Sequence, residues 1–203
     1  MTADARAVTD PTAAEVPAGR PTGWWGMVMF ITTEATLFAA LVASYFYLRF
    51  QSTPDWPPGG IKAPELSLPL LMSAILLSSS VPMVVADRGI RAGHVGRLRL
   101  GLAATFVLGA TFLGLQGYEY MTKLEEFTPR TNVYGSLFFA ITGFHGMHVA
   151  VGLLLILFVQ VRAWLGHFDQ GRHLHVQTTA MYWHFVDAVW VVIMLSLYIG
   201  PHL

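Results

Sequence analysis

The chain contains no cysteine, which excludes disulfides, thiolate metal sites and cysteine nucleophiles together. Charge is scarce as well: Asp, Glu, Lys and Arg make up 12% of the residues, against about 25% in ordinary soluble domains. Lysine is nearly missing, with only Lys62 and Lys123. Formal net charge is zero, so the chain has no electrostatic footprint for a nucleic-acid partner. It has no glycine-rich phosphate loop, nucleotide fingerprint, Ser/His/Asp pattern or internal repeat. What abounds is apolar surface, 54% of 203 residues. So small a chain has too little interior to hide that from water, and the bilayer is the second solvent it calls for.

The first 22 residues are rich in Ala, Thr, Pro and charge (Asp4, Arg6, Asp10, Glu15, Arg20) and have no continuous apolar run. They are expected to form a flexible polar tail and do not read as a secretory signal. Residues 23–203 then hold five apolar stretches near the length of about 20 residues that crosses a bilayer. They run approximately Trp24–Phe50, Leu66–Ala86, Leu98–Tyr118, Ser136–Val161 and Thr178–Ile199. The separators are punctuated by Pro54, Pro57, Pro58, Gly59, Gly60 and Pro64, by the basic run Asp87–Arg97, by the mixed run Glu119–Tyr134 and by the histidine-rich run Arg162–Gln177. An all-α bundle of five transmembrane helices follows. With the N-terminus in the cytoplasm, eight basic residues (Arg6, Arg20, Arg88, Arg91, Arg97, Arg99, Arg162, Arg172) lie inside and four (Arg49, Lys62, Lys123, Arg130) outside.

Side chains fit membrane packing. Trp24, Trp25, Tyr45, Tyr47, Tyr118, Tyr120 and Tyr198 lie near span ends, where amphipathic rings favour the interface. Gly143, Gly146 and Gly152 would let the fourth helix approach a neighbour, and Ala110 with Gly114 makes a small-xxx-small pair on the third. Ser78, Ser79 and Ser80 precede Pro82, placing hydroxyls near the backbone groups that a proline frees.

The chemistry lies in a few ionisable groups at membrane depth: Glu34 on the first span, His145 and His148 on the fourth, His184 and Asp187 on the fifth. A charge at the bilayer centre costs roughly 2.5–3.5 kcal/mol on the lenient scale, so these groups should face other helices. Glu34 reads either as a structural carboxyl bonded to a neighbouring helix or as a site of proton handling or lipid contact. His145 and His148 share a face, as do His184 and Asp187, and an Asp can hold an imidazole in one tautomer. Histidines on different helices could ligate a metal or a haem. A di-metal bundle site wants four carboxylates, however, and the spans supply two. A hydrogen-bonded polar network is favoured over a metal, and no catalytic residue stands out. Gln116, Glu119 and Tyr120 lie at the outer end of the third span, where a carboxylate can reach water. His167, His173 and His175 read as a solvated loop.

Two motifs resemble subunit III of the haem–copper oxidases: Gly143-Phe-His-Gly-Met-His-Val-Ala-Val-Gly and Tyr182-Trp-His-Phe-Val-Asp-Ala-Val-Trp. Thr33-Glu34 with Phe38 is similar to the family's membrane-carboxyl pattern, Pro69-Leu-Leu-Met and Leu76-Leu-Ser-Ser-Ser to its next helix, and Gln116-Gly-Tyr-Glu-Tyr to a helix-end motif. Long members have seven helices, with two N-terminal ones set apart by a lipid-filled cleft; this chain resembles the five-helix bacterial form, and another chain could supply the missing wall.

The resemblance implies a non-redox subunit of an aa3-type cytochrome c oxidase in a bacterial plasma membrane. It implies packing on subunit I with subunit II in the same complex, haem a and copper held by those partners, and phospholipid bound by this chain. It further implies support for proton uptake and durability during oxygen reduction, and a larger respiratory supercomplex is a compatible setting. A quinol oxidase subunit or nitric oxide reductase accessory protein is the alternative within the superfamily. A b-type membrane cytochrome using His145 or His148 with His184 is the alternative outside it; a proton-coupled transporter lacks the expected repeat symmetry.

Overall fold

A computed structural model describes residues 19–52, 56–61 and 64–202. Most of the N-terminal tail, with Arg6, and Lys62 of the first outer loop lie outside the described residues. Among those described, every regular element is helical. Five helices, all long and apolar enough to cross a membrane, are α1 (Thr22–Gln51), α2 (Ser67–Arg91), α3 (Val95–Glu126), α4 (Val133–Trp164) and α5 (Leu174–Ile193). The last continues through a wider π-helical turn, Met194–Ile199, and a short 3₁₀ turn to His202.

The helices outrun the apolar stretches that announce them. Hydrophobicity marks where lipid begins and ends, whereas caps and prolines mark where a helix does. α3 continues eight residues past Tyr118 through good helix formers and stops at Phe127, two residues before Pro129. α4 starts at Val133 because Asn132 caps it, its side-chain oxygen accepting from the Gly135 N–H at 2.9 Å. α2 and α4 end alike. Gly93 and Gly166 take positive φ (78° and 75°), and the following N–H groups of His94 and His167 bond back to the Gly89 and Arg162 carbonyls at 2.8 and 3.1 Å. This closes each helix with a Schellman turn, which needs glycine at the left-handed position.

α5 is the hub, lying against α1, α2 and α4, while α2 packs on α3 and α3 on α4. Close approach is set by glycines. A Cβ on Gly101 would lie 2.5 Å from the Pro82 carbonyl oxygen, so α2 and α3 approach backbone to backbone there. The Trp183 indole is wedged between helices: a Cβ on Gly109 of α3 would lie 2.5 Å from it and one on Gly152 of α4 2.9 Å. Its Nε1–H donates to Ser79 Oγ on α2 at 2.9 Å. Trp190 repeats the arrangement, donating to Ser73 Oγ at 2.9 Å and packing on Phe112 at 4.8 Å.

Several packing expectations are met and several are corrected. Gly146 and Gly152 do meet neighbours, on α3 and α5 respectively. Ala110 and Gly114 instead face outward, with nothing within 4 Å of a Cβ on Gly114; the close contacts of α3 belong to Gly101 and Gly109. Tyr47 and Tyr118 are exposed as belt residues should be, but Tyr45 and Tyr198 are fully buried. Tyr45 sits under the outer loop, accepting from Trp56 Nε1 at 3.1 Å. The serines before Pro82 do not serve a carbonyl that the proline frees. Ser78 and Ser79 donate to Ile75 and Leu76, and Ser80 reaches α5.

Candidate functional site

The five ionisable groups at membrane depth come together as two pairs and one solitary ring. α1 presents Glu34 near its middle, and α4 meets it with His148: Glu34 Oε2 lies 3.0 Å from His148 Nε2. The other ring nitrogen, Nδ1, lies 2.6 Å from the Phe144 carbonyl oxygen one turn back. A carbonyl only accepts, so Nδ1 holds a hydrogen and donates. The contact with Glu34 then contains one proton. Either the neutral acid donates to the neutral ring or an imidazolium donates to a carboxylate, and both forms have zero net charge. A one-proton bridge of zero net charge lessens the cost of holding a carboxyl at this depth. Phe38 stacks edge-on against the His148 ring at 5.1 Å, and the Tyr182 hydroxyl donates to the His148 carbonyl at 3.1 Å, so the ring is fixed from α1 and its backbone from α5. His148 is nearly enclosed, whereas 22% of the Glu34 side chain remains exposed on the bundle surface.

The second pair joins α5 to α2. His184 and Asp187 share a face, as their spacing predicts, but Ser80 stands between them. Its hydroxyl donates to Asp187 Oδ2, and His184 Nδ1 lies 3.0 Å from Ser80 Oγ. The tautomer is therefore set through a serine from another helix and not by the aspartate directly. His145 goes its own way. Three residues before His148, it turns into the α3–α5 side, where Phe112 meets its ring at 5.8 Å and Trp190 at 5.0 Å. It is fully buried, and neither ring nitrogen has a hydrogen-bond partner among the described residues.

Gln116 and Glu119 also depart from expectation. Both are buried, because Leu98, Leu102, Thr105, Gly109, Phe112, Gln116 and Glu119 form one inward stripe at alternating spacings of three and four. Gln116 Nε2 donates to the Thr142 carbonyl at 2.7 Å, and its side-chain oxygen fills the space left by Gly146. Glu119 Oε2 accepts from the Tyr198 hydroxyl at 3.0 Å; it is buried against the π-helical turn that continues α5. Tyr198, Ser79, Ser80, Trp183 and Trp190 do not stand out as site residues in the sequence, although all but Tyr198 lie inside the motifs quoted above. In the histidine-rich run His167 and His175 are exposed, whereas His173 is half-buried with its Nδ1 enclosed and without a hydrogen-bond partner among the described residues. Among the described residues no three His, Asp or Glu side chains converge as a metal would require.

The family model for cytochrome c oxidase subunit III matches residues 16–201. Relatives named cytochrome c oxidase subunit 3 are similar over most of the chain. That of Lumbricus terrestris is 39% identical over 179 residues, 86% of this chain and 68% of the relative. That of Thermostichus vulcanus is 39% identical over 175 residues, 86% of this chain and 85% of the relative. That of Arabidopsis thaliana is 37% identical over 179 residues, again 86% of this chain and 67% of the relative.

Proposed function

The chain belongs to the cytochrome c oxidase subunit III family, and from that premise we propose that it is the non-redox third subunit of an aa3-type cytochrome c oxidase in a bacterial plasma membrane, N-terminus inward. It packs on subunit I in a complex that also contains subunit II. Haem a and copper sit in those partners, and this chain supplies lipid contact and support for proton uptake. The named relatives favour cytochrome c over quinol as the donor.

The observation that carries the reading is the Glu34–His148 bridge. A group that binds protons or polar lipid heads from a membrane must be both held and reachable. Here the ring is buried and doubly anchored, while the carboxyl is open at the surface. Its proton can shift between Oε2 and Nε2 without a change of net charge, which removes the main electrostatic obstacle to proton handling in a low-dielectric setting. The Ser80–His184–Asp187 group and the paired tryptophans hold α5 in the register that aims Tyr182 at the His148 carbonyl.

In the purified oxidase, Glu34→Ala should leave the haem absorption spectrum unchanged and shorten the lifetime of the enzyme during turnover severalfold. Glu34→Gln, which keeps a hydrogen-bond partner for His148 but not the acid, separates proton handling from packing: it should behave like the alanine variant. Unaltered inactivation kinetics in both would remove Glu34 from the mechanism.

A further inference from the structure

Two acceptors of the Ser80–His184–Asp187 group lack a partner among the described residues: Asp187 Oδ1, which is enclosed, and His184 Nε2, which stands at a depth where lipid cannot complete its bond. His184 stands four residues from the middle of the 29-residue stretch Leu174–His202, about 6 Å along the axis at roughly 1.5 Å per residue. That is well inside the hydrocarbon. The ring is only partly buried, and its Nε2 has no partner among the described residues. The chemistry of that nitrogen is fixed by its neighbours. With Asp187 ionised, the single hydroxyl hydrogen of Ser80 goes to its Oδ2. Ser80 Oγ therefore accepts from His184 Nδ1–H, which leaves Nε2 of the neutral ring with a lone pair and no hydrogen. Acyl chains at this depth offer no donor, and an unmet polar group in hydrocarbon is costly.

The surroundings are shaped for a helix. α1 and α2 both lie against α5 with no substantial packing between them. α5 is thus the floor of a groove, exposing Ala188, Val191, Val192 and Leu195 on the same side as His184. On its α1 flank the groove is apolar, lined by Ala39, Val42, Val189 and Val192 around a hollow of about 470 Å³. We infer that this groove receives a transmembrane helix of another subunit, which sets a hydrogen-bond donor (a hydroxyl, amide or indole N–H) against His184 Nε2. The inference rests on the chain working within a multisubunit oxidase.

The test uses the intact complex in native membranes, with p-benzoylphenylalanine placed either at Ala188 in the groove or at exposed Leu154 on α4. The Ala188 probe should join this chain to another membrane subunit through a segment containing such a donor, and the Leu154 probe should not. Adding His184→Leu should cut the Ala188 product about tenfold, and His184→Gln, whose amide oxygen can still accept, should restore it. Lipid adducts alone from Ala188, equal yields from both probes, or a yield indifferent to His184→Leu would overturn the inference while leaving the family role intact. Failure of the unaltered chain to co-purify with oxidase subunits would overturn that role instead.

Discussion

α1 and α5 are close in mean hydropathy, yet 6% of the most apolar window of α1 is buried within the chain against 61% of that of α5. Hydropathy admits a segment to the membrane and says nothing about where it stands. Placement follows from polar handles and what they grip. The hydroxyls of Thr32, Thr33, Thr36 and Ser44 on α1 all bond back to that helix's own carbonyls, so they offer nothing to a neighbour. On α5 and the π-helical turn that continues it, Tyr182, Trp183, His184, Asp187, Trp190 and Tyr198 each reach a group on α2, α3 or α4. Lipid tails are as apolar as leucine, so helices here associate by packing and such bonds, not by escape from water.

The hardest test of that contrast is Trp183→Ala. In lipid the transfer part of a core truncation nearly vanishes, but the lost contacts with the Gly109 and Gly152 surfaces and the lost hydrogen bond to Ser79 Oγ do not. The expected cost is about 3 kcal/mol, the low end of aromatic-to-alanine losses. It should be read as a clear fall in the thermal unfolding midpoint in detergent. A loss under about 0.5 kcal/mol, the size of an ordinary surface substitution, would mean that α5 is not the hub.

Next in size is Tyr198→Phe, which keeps the ring and strands Glu119 Oε2 in the interior. An unmet buried acceptor costs about 1–3 kcal/mol, so the loss should be near 2 kcal/mol by the same measurement. Glu119→Gln should tolerate Tyr198 better than Glu119→Leu does, because an amide oxygen can still accept the phenol hydrogen.

How much of this was legible can be judged residue by residue. The five spans were, because a run of about 20 apolar residues has few other uses. Glu34 and His148 were visible as costly groups needing partners, but their meeting joins positions 114 residues apart and no local period encodes it. The inward stripe from Leu98 to Glu119 was present in its three-and-four spacing. The apolar run alone hides it, because it stops at Tyr118 and makes Glu119 read as an end-of-helix carboxylate, whereas α3 runs on to Glu126. Ala110 and Gly114 met the small-residue pattern yet faced outward, since that pattern states what permits close approach and not which face is used. Ser80 was hidden for another reason. A serine costs little on any helix face, so only the geometry identifies it as the bridge between His184 and Asp187.

At the quiet end of the contrast stands Met29→Ala on α1, where the side chain is 71% exposed on the bundle surface. Detergent or lipid replaces the lost methylene contacts, so the change in stability should stay within about 0.5 kcal/mol. A drop comparable with that of Trp183→Ala would show that α1 is covered by protein even in the isolated chain, and the division between hub and periphery would have to be redrawn.

The smallest effect belongs to the loop between α4 and α5, outside both regions. The Arg172 side chain bonded to Asp169 at 2.8 Å holds that carboxyl below its ordinary range, helped by the backbone N–H groups of Arg172 and Gly171. A carboxyl whose folded value is depressed favours the folded loop at pH values above its unfolded value. That contribution fades as pH falls through the lower, folded one. Asp169 is solvent-exposed, so water screens the pair and the global unfolding midpoint should not respond. The local signature is a carboxyl NMR titration of Asp169 whose midpoint lies below that of an unstructured peptide and rises toward it in Arg172→Gln. A midpoint at or above the peptide value in the unaltered protein would show that the loop does not hold this turn in solution.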